Sequence, residues 1–171
     1  MKNKPNKKAQ ALTTDFIIGL LMFIFLLITA ITIIVELTPN SNYETLYNNN
    51  IYISESLLTS GFPQNWNSTT AIIPGITTNQ RINETKLAQF DNISYEKTKT
   101  LLHTESEYIF FFENQTGIMN ISTKCTRGHP IQTDNDCTPQ LEQINYDNLA
   151  KTERFTIYKS QIVKLTIYSW N

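Results

Sequence analysis

The spacing of apolar and polar positions divides this chain into three textures. Residues 16–35 form an unbroken run of twenty uncharged, mostly apolar residues. At 1.5 Å per residue such a helix is about 30 Å long, the thickness of a bilayer's hydrocarbon core. Its polar members, Thr29 and Thr32, are of the kind that return hydroxyls to backbone carbonyls one turn earlier. The second texture is helical but one-sided. Tyr43, Leu46, Tyr47, Ile51, Ser54, Leu57 and Leu58 recur at the spacing of one helix face, which predicts an amphipathic helix over residues 42–59. Thr38-Pro39 breaks the chain before it, Ser41 with Glu44 offers a capping box, and Gly61 with Pro63 ends it.

Beyond Glu105 the period shortens to two. Residues 108–112 and 118–121, around the turn Asn114-Gln115-Thr116-Gly117, predict a β-hairpin, and residues 154–158 and 161–170 predict two final strands. There Phe155, Ile157, Val163, Leu165, Ile167 and Tyr168 are the expected inward positions. Between these textures, Gly61-Phe62-Pro63 and Trp66 form a turn with a core anchor, and residues 71–76, interrupted by Pro74-Gly75, are limited to an edge strand or turn. Asn83 and Ser94 read as N-caps of short helices over residues 84–90 and 95–103, with Leu87, Phe90, Leu101 and Leu102 as core contacts. Arg81 reads as a solvated or capping residue. The pattern as a whole predicts an α+β fold in which a long N-terminal helix, half transmembrane and half amphipathic, packs on a C-terminal antiparallel sheet. The expected divisions are a basic leader at 1–9, a transmembrane helix at 10–36, an amphipathic extension at 37–60 and a head at 61–171.

Charge orients this arrangement. Lys2, Lys4, Lys7 and Lys8 precede the apolar run and Glu36 follows it, so the lysine bias holds the N-terminus in the cytoplasm and places the head outside. The net charge of the chain is -1; residues 1–15 carry +3, which leaves -4 for the rest. That balance offers no basic face, and nucleic acid is not an expected partner. A cleaved secretory signal fits poorly, because the apolar run exceeds the usual length and no A-x-A-like site follows Val35.

Outside the membrane, an even pair of cysteines, Cys125 and Cys137, favours a disulfide over free thiols. The alternative is a metal site recruiting His129 and Asp134 or Asp136, which lacks the usual ligand spacing. Sequons at Asn67, Asn83, Asn92, Asn114 and Asn120 all follow the membrane run and are candidate glycosylation sites. No Gly-rich phosphate loop, G-x-S-x-G, H-E-x-x-H or acidic metal cluster is present. An enzyme is not expected, nor is a cofactor or a bound metal. His103 falls at an expected helix end and His129 in a polar loop.

The stretch KKAQALTTDFIIGLLMFIFLLITAITIIV, residues 7–35, resembles the N-terminus of archaeal type IV pilins and pilin-like proteins with a class III signal peptide. Gly61-Phe62-Pro63, Trp66, Arg81-Ile82-Asn83 and Lys86-Leu87 are similar to a head segment of archaeal pilin-like membrane proteins. The resemblance implies cleavage by a prepilin peptidase between Ala9 and Gln10, and retention of the apolar helix. It also implies assembly with copies of itself or other pilins into a surface filament through Asp15. Counted from Gln10, Asp15 is the sixth residue, whereas the family's acid commonly stands fifth. A carboxylate moved toward hydrocarbon needs a partner, which in pilins is the terminal amine of a neighbouring subunit. Alternatively the helix macrodipole alone favours an acid at a helix N-terminus. The expected function is structural or adhesive. The rival is an uncleaved, single-pass signal-anchored protein whose ectodomain binds a partner or a glycan.

Overall fold

The computed structural model describes residues 7–37, 41–131 and 137–171. The chain divides into two compact units, Met1–Asn40 and Ser41–Asn171. In the first, α1 (Lys7–Leu37) is a single helix. Its segment Asp15–Val35, 21 residues, is long and apolar enough to cross a membrane, and none of it is buried within the molecule. Phe16, Phe25 and Val35 lie open along it, an exposure that water penalises and hydrocarbon does not. Thr29 Oγ1 donates to Leu26 O and Thr32 Oγ1 to Thr29 O, both at 2.9 Å, so the two hydroxyls are satisfied inside the helix as the sequence suggests. Lys7, Lys8 and Ala9 of the expected leader belong to α1, where they continue a run of good helix formers.

The expected break at Thr38-Pro39 lies outside the described residues; α1 stops at Leu37, and α2 (Ser41–Leu57) opens the second unit. Glu44 stands in the first turn of α2, while the capping contact of Ser41 lies outside the described side chains. The buried stripe of α2 is Leu46, Asn50, Ile53, Ser54 and Leu57, the i, i+4, i+7, i+8, i+11 rows of one face. Tyr43, one turn before the buried stripe begins, and Tyr47, at its margin, are expected on that face and are exposed. Asn50 replaces an apolar residue at the centre of the stripe because its Nδ2 donates to Ala150 O at 3.1 Å.

The rest of the unit is a curled, mostly antiparallel sheet with α2 and two short helices on its core face. Its strands are β1 (Thr77–Thr78), β2 (Arg81–Ile82), β3 (Glu107–Asn114), β4 (Gly117–Ile118), β5 (Thr126–Gly128), β6 (Leu149–Tyr158) and β7 (Gln161–Trp170). They lie in the order β1-β2-β6-β7-β3-β4, with β5 also on β3, and β2–β6 is the one parallel pair among the described strands. The helices are α3 (Glu84–Asp91) and α4 (Tyr95–Leu101), close to their expected bounds. Asn83 caps α3 with its side chain, accepting from Thr85 N and Lys86 N; Ser94 makes no side-chain cap bond to α4.

β7 matches its expected span, and Val163, Leu165 and Ile167 face the core. β3 is central, and both of its faces are buried: Tyr108, Phe110 and Phe112 on the helix side, Ile109 and Phe111 on the other. Three differences from the sequence reading stand out. β6 starts five residues before position 154, because Ala150 and Thr152 continue the ladder opposite Ser169 and Ile167. Phe155 points away from α2 and is 75 % exposed. The residues of β6 beneath α2 are Ala150, Thr152 and Thr156, small or β-branched where the helix crosses closely. The hairpin after β3 keeps a return strand of only two residues, and beyond it Ser122 and Thr123 take positive φ where Ile121 turns back onto Lys124.

One hydrophobic cluster joins the layers, from Ile53 and Leu57 of α2 through Leu87 and Phe90 to Phe110, Phe112 and Leu165. Leu102 belongs to it and Leu101 is packed against its margin. Trp66 is the anchor expected: buried, with Nε1 donating to Gly75 O at 2.9 Å. Gly61 (φ 74°) is pressed against that indole and Gly75 against the Gly61 backbone, so neither site has room for a Cβ.

Candidate functional site

Ala9 and Gln10 lie in the first turn of α1, and Asp15 lies eight residues beyond its start at Lys7. No acidic residue occupies the first turn of α1. The macrodipole field is strongest within a turn of the helix end, and Asp15 stands two turns beyond Lys7. The carboxylate is exposed on the helix surface at the edge of the apolar segment. Gly19 opens the same surface further along, with nothing near its missing side chain.

In the second unit Cys125 and Cys137 are bonded to each other, 12 residues apart, and no free thiolate remains for a metal ion. Asp134 and Asp136, invoked with His129 for that alternative, lie outside the described residues. His129 is not a solvated loop residue: its ring meets Tyr95 and Trp170 edge-on, at 5.8 and 5.3 Å between centroids. Its Nδ1 is buried without a hydrogen-bond partner. His103, just beyond α4 at positive φ, lies edge-on to Tyr52.

The five sequons fall in different environments. Asn67, Asn92 and Asn120 are exposed. Asn67 Oδ1 accepts from Thr69 N at 2.9 Å, and Asn114 Oδ1 accepts in the same way from Thr116 N in the β3–β4 turn. Asn83 differs, since its Oδ1 caps α3 while its Nδ2 donates to Thr78 Oγ1 at 3.0 Å. Arg81, in β2, is exposed as expected.

Sequence reasoning missed a clamp beside the stapled loop. A depression of about 350 Å³ is lined by residues including Asp91, Tyr95, Thr98, Arg127 and His129. Arg127 Nε and Nη2 meet Asp91 Oδ1 and Oδ2 at 2.9 and 3.0 Å. Nη2 also donates to Ile121 O at 2.6 Å and Nη1 to Lys124 O at 3.3 Å. Burial pushes the guanidinium pKa down and Asp91 opposes the shift. Four of the five N–H groups of Arg127 are thus directed at its own chain, an arrangement that locks a loop and leaves little to hold a ligand. In a sequence, an arginine within a polar cysteine loop gives no sign of this; only the β5–β3 register, with Arg127 opposite Phe110, turns it inward.

The hydroxyls of the depression are equally committed. Tyr95 Oη donates to Glu107 Oε2 at 2.5 Å and accepts from Tyr108 N at 3.1 Å. Tyr108 Oη donates to Thr98 Oγ1, which donates to Tyr95 O. Burial pushes both phenols far above their ordinary range, so they stay protonated. Burial also raises the Glu107 carboxyl, but hydrogen bonds from Lys99 and Tyr95 outweigh it and hold that group below its ordinary value.

Comparison with models of protein families, with curated proteins and with solved structures finds no match to this chain. Function therefore has to be argued from α1 and from the surface of the second unit.

Proposed function

We propose that this chain is a pilin-like subunit of a type IV pilus-like surface filament. It is made with a basic leader, cut by a prepilin peptidase between Ala9 and Gln10, held in the membrane by α1 and displays its α+β head outside. The observation that carries the reading is the combination in α1 of a 21-residue, unburied apolar segment with one carboxylate at its N-terminal edge. A lipid-facing carboxylate costs about 2.5–3.5 kcal/mol at full depth. A terminal amine on a neighbouring copy offsets that cost and fixes the register between helices.

The test is the first residue of the mature protein purified from its own membranes, by intact mass and terminal sequencing. A start at Gln10 supports prepilin-type processing. The position of Asp15, sixth from Gln10 where the family's acid is commonly fifth, favours the second reading of an uncleaved anchor with a partner-binding ectodomain. A start at Met1 or Lys2 would select it.

A further inference from the structure

The five sequons share a sequence pattern, but two of them also share a geometry. In Asn67-Ser68-Thr69, Asn67 Oδ1 accepts from Thr69 N at 2.9 Å and from Thr69 Oγ1 at 2.7 Å. In Asn114-Gln115-Thr116, Asn114 Oδ1 accepts from Thr116 N at 2.9 Å and from Thr116 Oγ1 at 2.7 Å. Each is an Asx turn closed by the third residue of its own sequon. Thr69, Gln115 and Thr116 are exposed, and Ser68 is held by the side chains of Gln89 and Lys97. Among the described residues, no acceptor meets Nδ2 of Asn67 or Asn114.

The other three sequons are committed to the fold. Asn83 uses both ends of its amide, Oδ1 as the cap of α3 and Nδ2 as donor to Thr78 Oγ1. In Asn92-Ile93-Ser94 and Asn120-Ile121-Ser122 the asparagines are exposed but the middle residues are core, 8 % and 1 % exposed. Ile93 N donates to Phe90 O, and Ile121 is fixed from both sides, its N donating to Lys124 O and its O accepting from Arg127 Nη2. An enzyme that seats all three residues of a sequon in one groove reaches these two only after the core has opened.

We propose that Asn67 and Asn114 are the sites at which the head carries N-linked oligosaccharide, added to the folded head from a polyprenyl-phosphate-linked donor. The proposal rests on the outward placement of the head, which holds for a cleaved pilin and for an uncleaved anchor alike. An amide nitrogen is a weak nucleophile, because its lone pair is delocalised onto the carbonyl oxygen. In the transfer Nδ2 gives one proton to a base of the transferase and bonds to C1 of the first sugar. The bond from C1 to the phosphate oxygen breaks, and the lipid phosphate leaves with the electron pair. As the proton departs, negative charge builds on Oδ1. In both turns a backbone N–H and a hydroxyl already stand at hydrogen-bond distance from that oxygen, so the charge is met by donors in place. One of the two donors is the hydroxyl that the sequon itself requires.

The experiment maps glycopeptides by electron-transfer fragmentation and measures the intact mass of the full-length protein, purified from its own membranes. Intact cells are first treated with a membrane-impermeant amine reagent, which reads the placement of the head at Lys159, whose side chain is 70 % exposed. Sugar is expected on Asn67 and Asn114 and on none of the other three asparagines. Asn67→Gln and Asn114→Gln should each lower the intact mass by one glycan, and the double variant should carry none; an intact disulfide and an unchanged melting temperature show that the variants fold. Lys159 labelled, with sugar on Asn83, Asn92 or Asn120 or with Asn67 or Asn114 bare, overturns the assignment and leaves the outward placement standing. Lys159 unlabelled, with all five asparagines bare, overturns both.

Discussion

Replacing Asp91 by Ala removes the one carboxylate that holds the Arg127 guanidinium. The Arg127 side chain is 1 % exposed and that of Asp91 11 %. Two charge-assisted bonds vanish, and a cation stays behind where water does not reach. The Ile121 and Lys124 carbonyls still accept from it, but they are dipoles and do not neutralise it. Breaking a buried pair from one side costs about 3–5 kcal/mol. For a unit whose whole stability is on the order of 5–15 kcal/mol, that is a large fraction. The reverse change, Arg127→Met, is expected to cost less, about 1–3 kcal/mol. It strands a carboxylate that still has Lys124 Nζ at 3.8 Å and is nearer to water. Asp91→Leu with Arg127→Met should recover most of the loss. Urea titration read by tryptophan fluorescence reports all three, because Trp66 and Trp170 are both buried in this unit. An Asp91→Ala cost below about 1 kcal/mol, or a double variant as unstable as the worse single one, would refute the clamp. The depression beside it would then have to be reconsidered as a site with an available guanidinium.

Four further expectations are simpler to check. Native protein should take up no alkylating agent without reductant and two adducts after reduction at Cys125 and Cys137. The double serine variant should lose about 3 kcal/mol through the freed loop. Asn83→Ala should cost about 1 kcal/mol through the lost α3 cap, measured by the same titration, whereas Asn67→Ala or Asn120→Ala at exposed loop sites should change stability by about 0.5 kcal/mol or less. Glu107 titrates below its unfolded value, so its contribution is present above the unfolded pKa and disappears as pH falls through the folded one. The stability gap between wild type and Glu107→Gln should therefore close on acidification below the ordinary carboxylate range, and a gap that widens there would show the sign to be wrong. Asp15→Ala should leave the protein in the membrane and abolish filaments, seen by electron microscopy of intact cells; undiminished filaments would count against register-setting by that carboxylate.

Much of the fold was legible because long periodic segments carry redundant signals. Twenty uncharged residues in a row mark a long apolar helix, and Val163, Leu165 and Ile167 repeat the period of two often enough to place β7 where it lies. Short elements defined by one contact were not legible. β4 is two residues long, and the turn beyond it uses positive φ at Ser122 and Thr123, residues that ordinarily avoid it. β3 reads as an ordinary alternating strand only if one of its faces is wet. Tyr-Ile-Phe-Phe-Phe, buried throughout, is instead the signature of a strand with neighbours on both edges and cover on both faces.

The positions of Tyr43, Tyr47 and Phe155 bear on function. Tyr43, Tyr47 and Phe155 were assigned inward because large apolar side chains usually are. The space beneath α2 is filled instead by Asn50, Ser54, Ala150 and Thr152, small or polar groups that allow helix and strand to approach and bond. A close helix crossing has no room for an aromatic ring; Phe155 lies on the other face of the sheet, and Tyr43 and Tyr47 lie exposed at the start of α2. A soluble monomer gains nothing from keeping them there, since exposed aromatics in patches promote association. The positions where hydrophobicity misleads about the core are therefore the ones that describe the surface best.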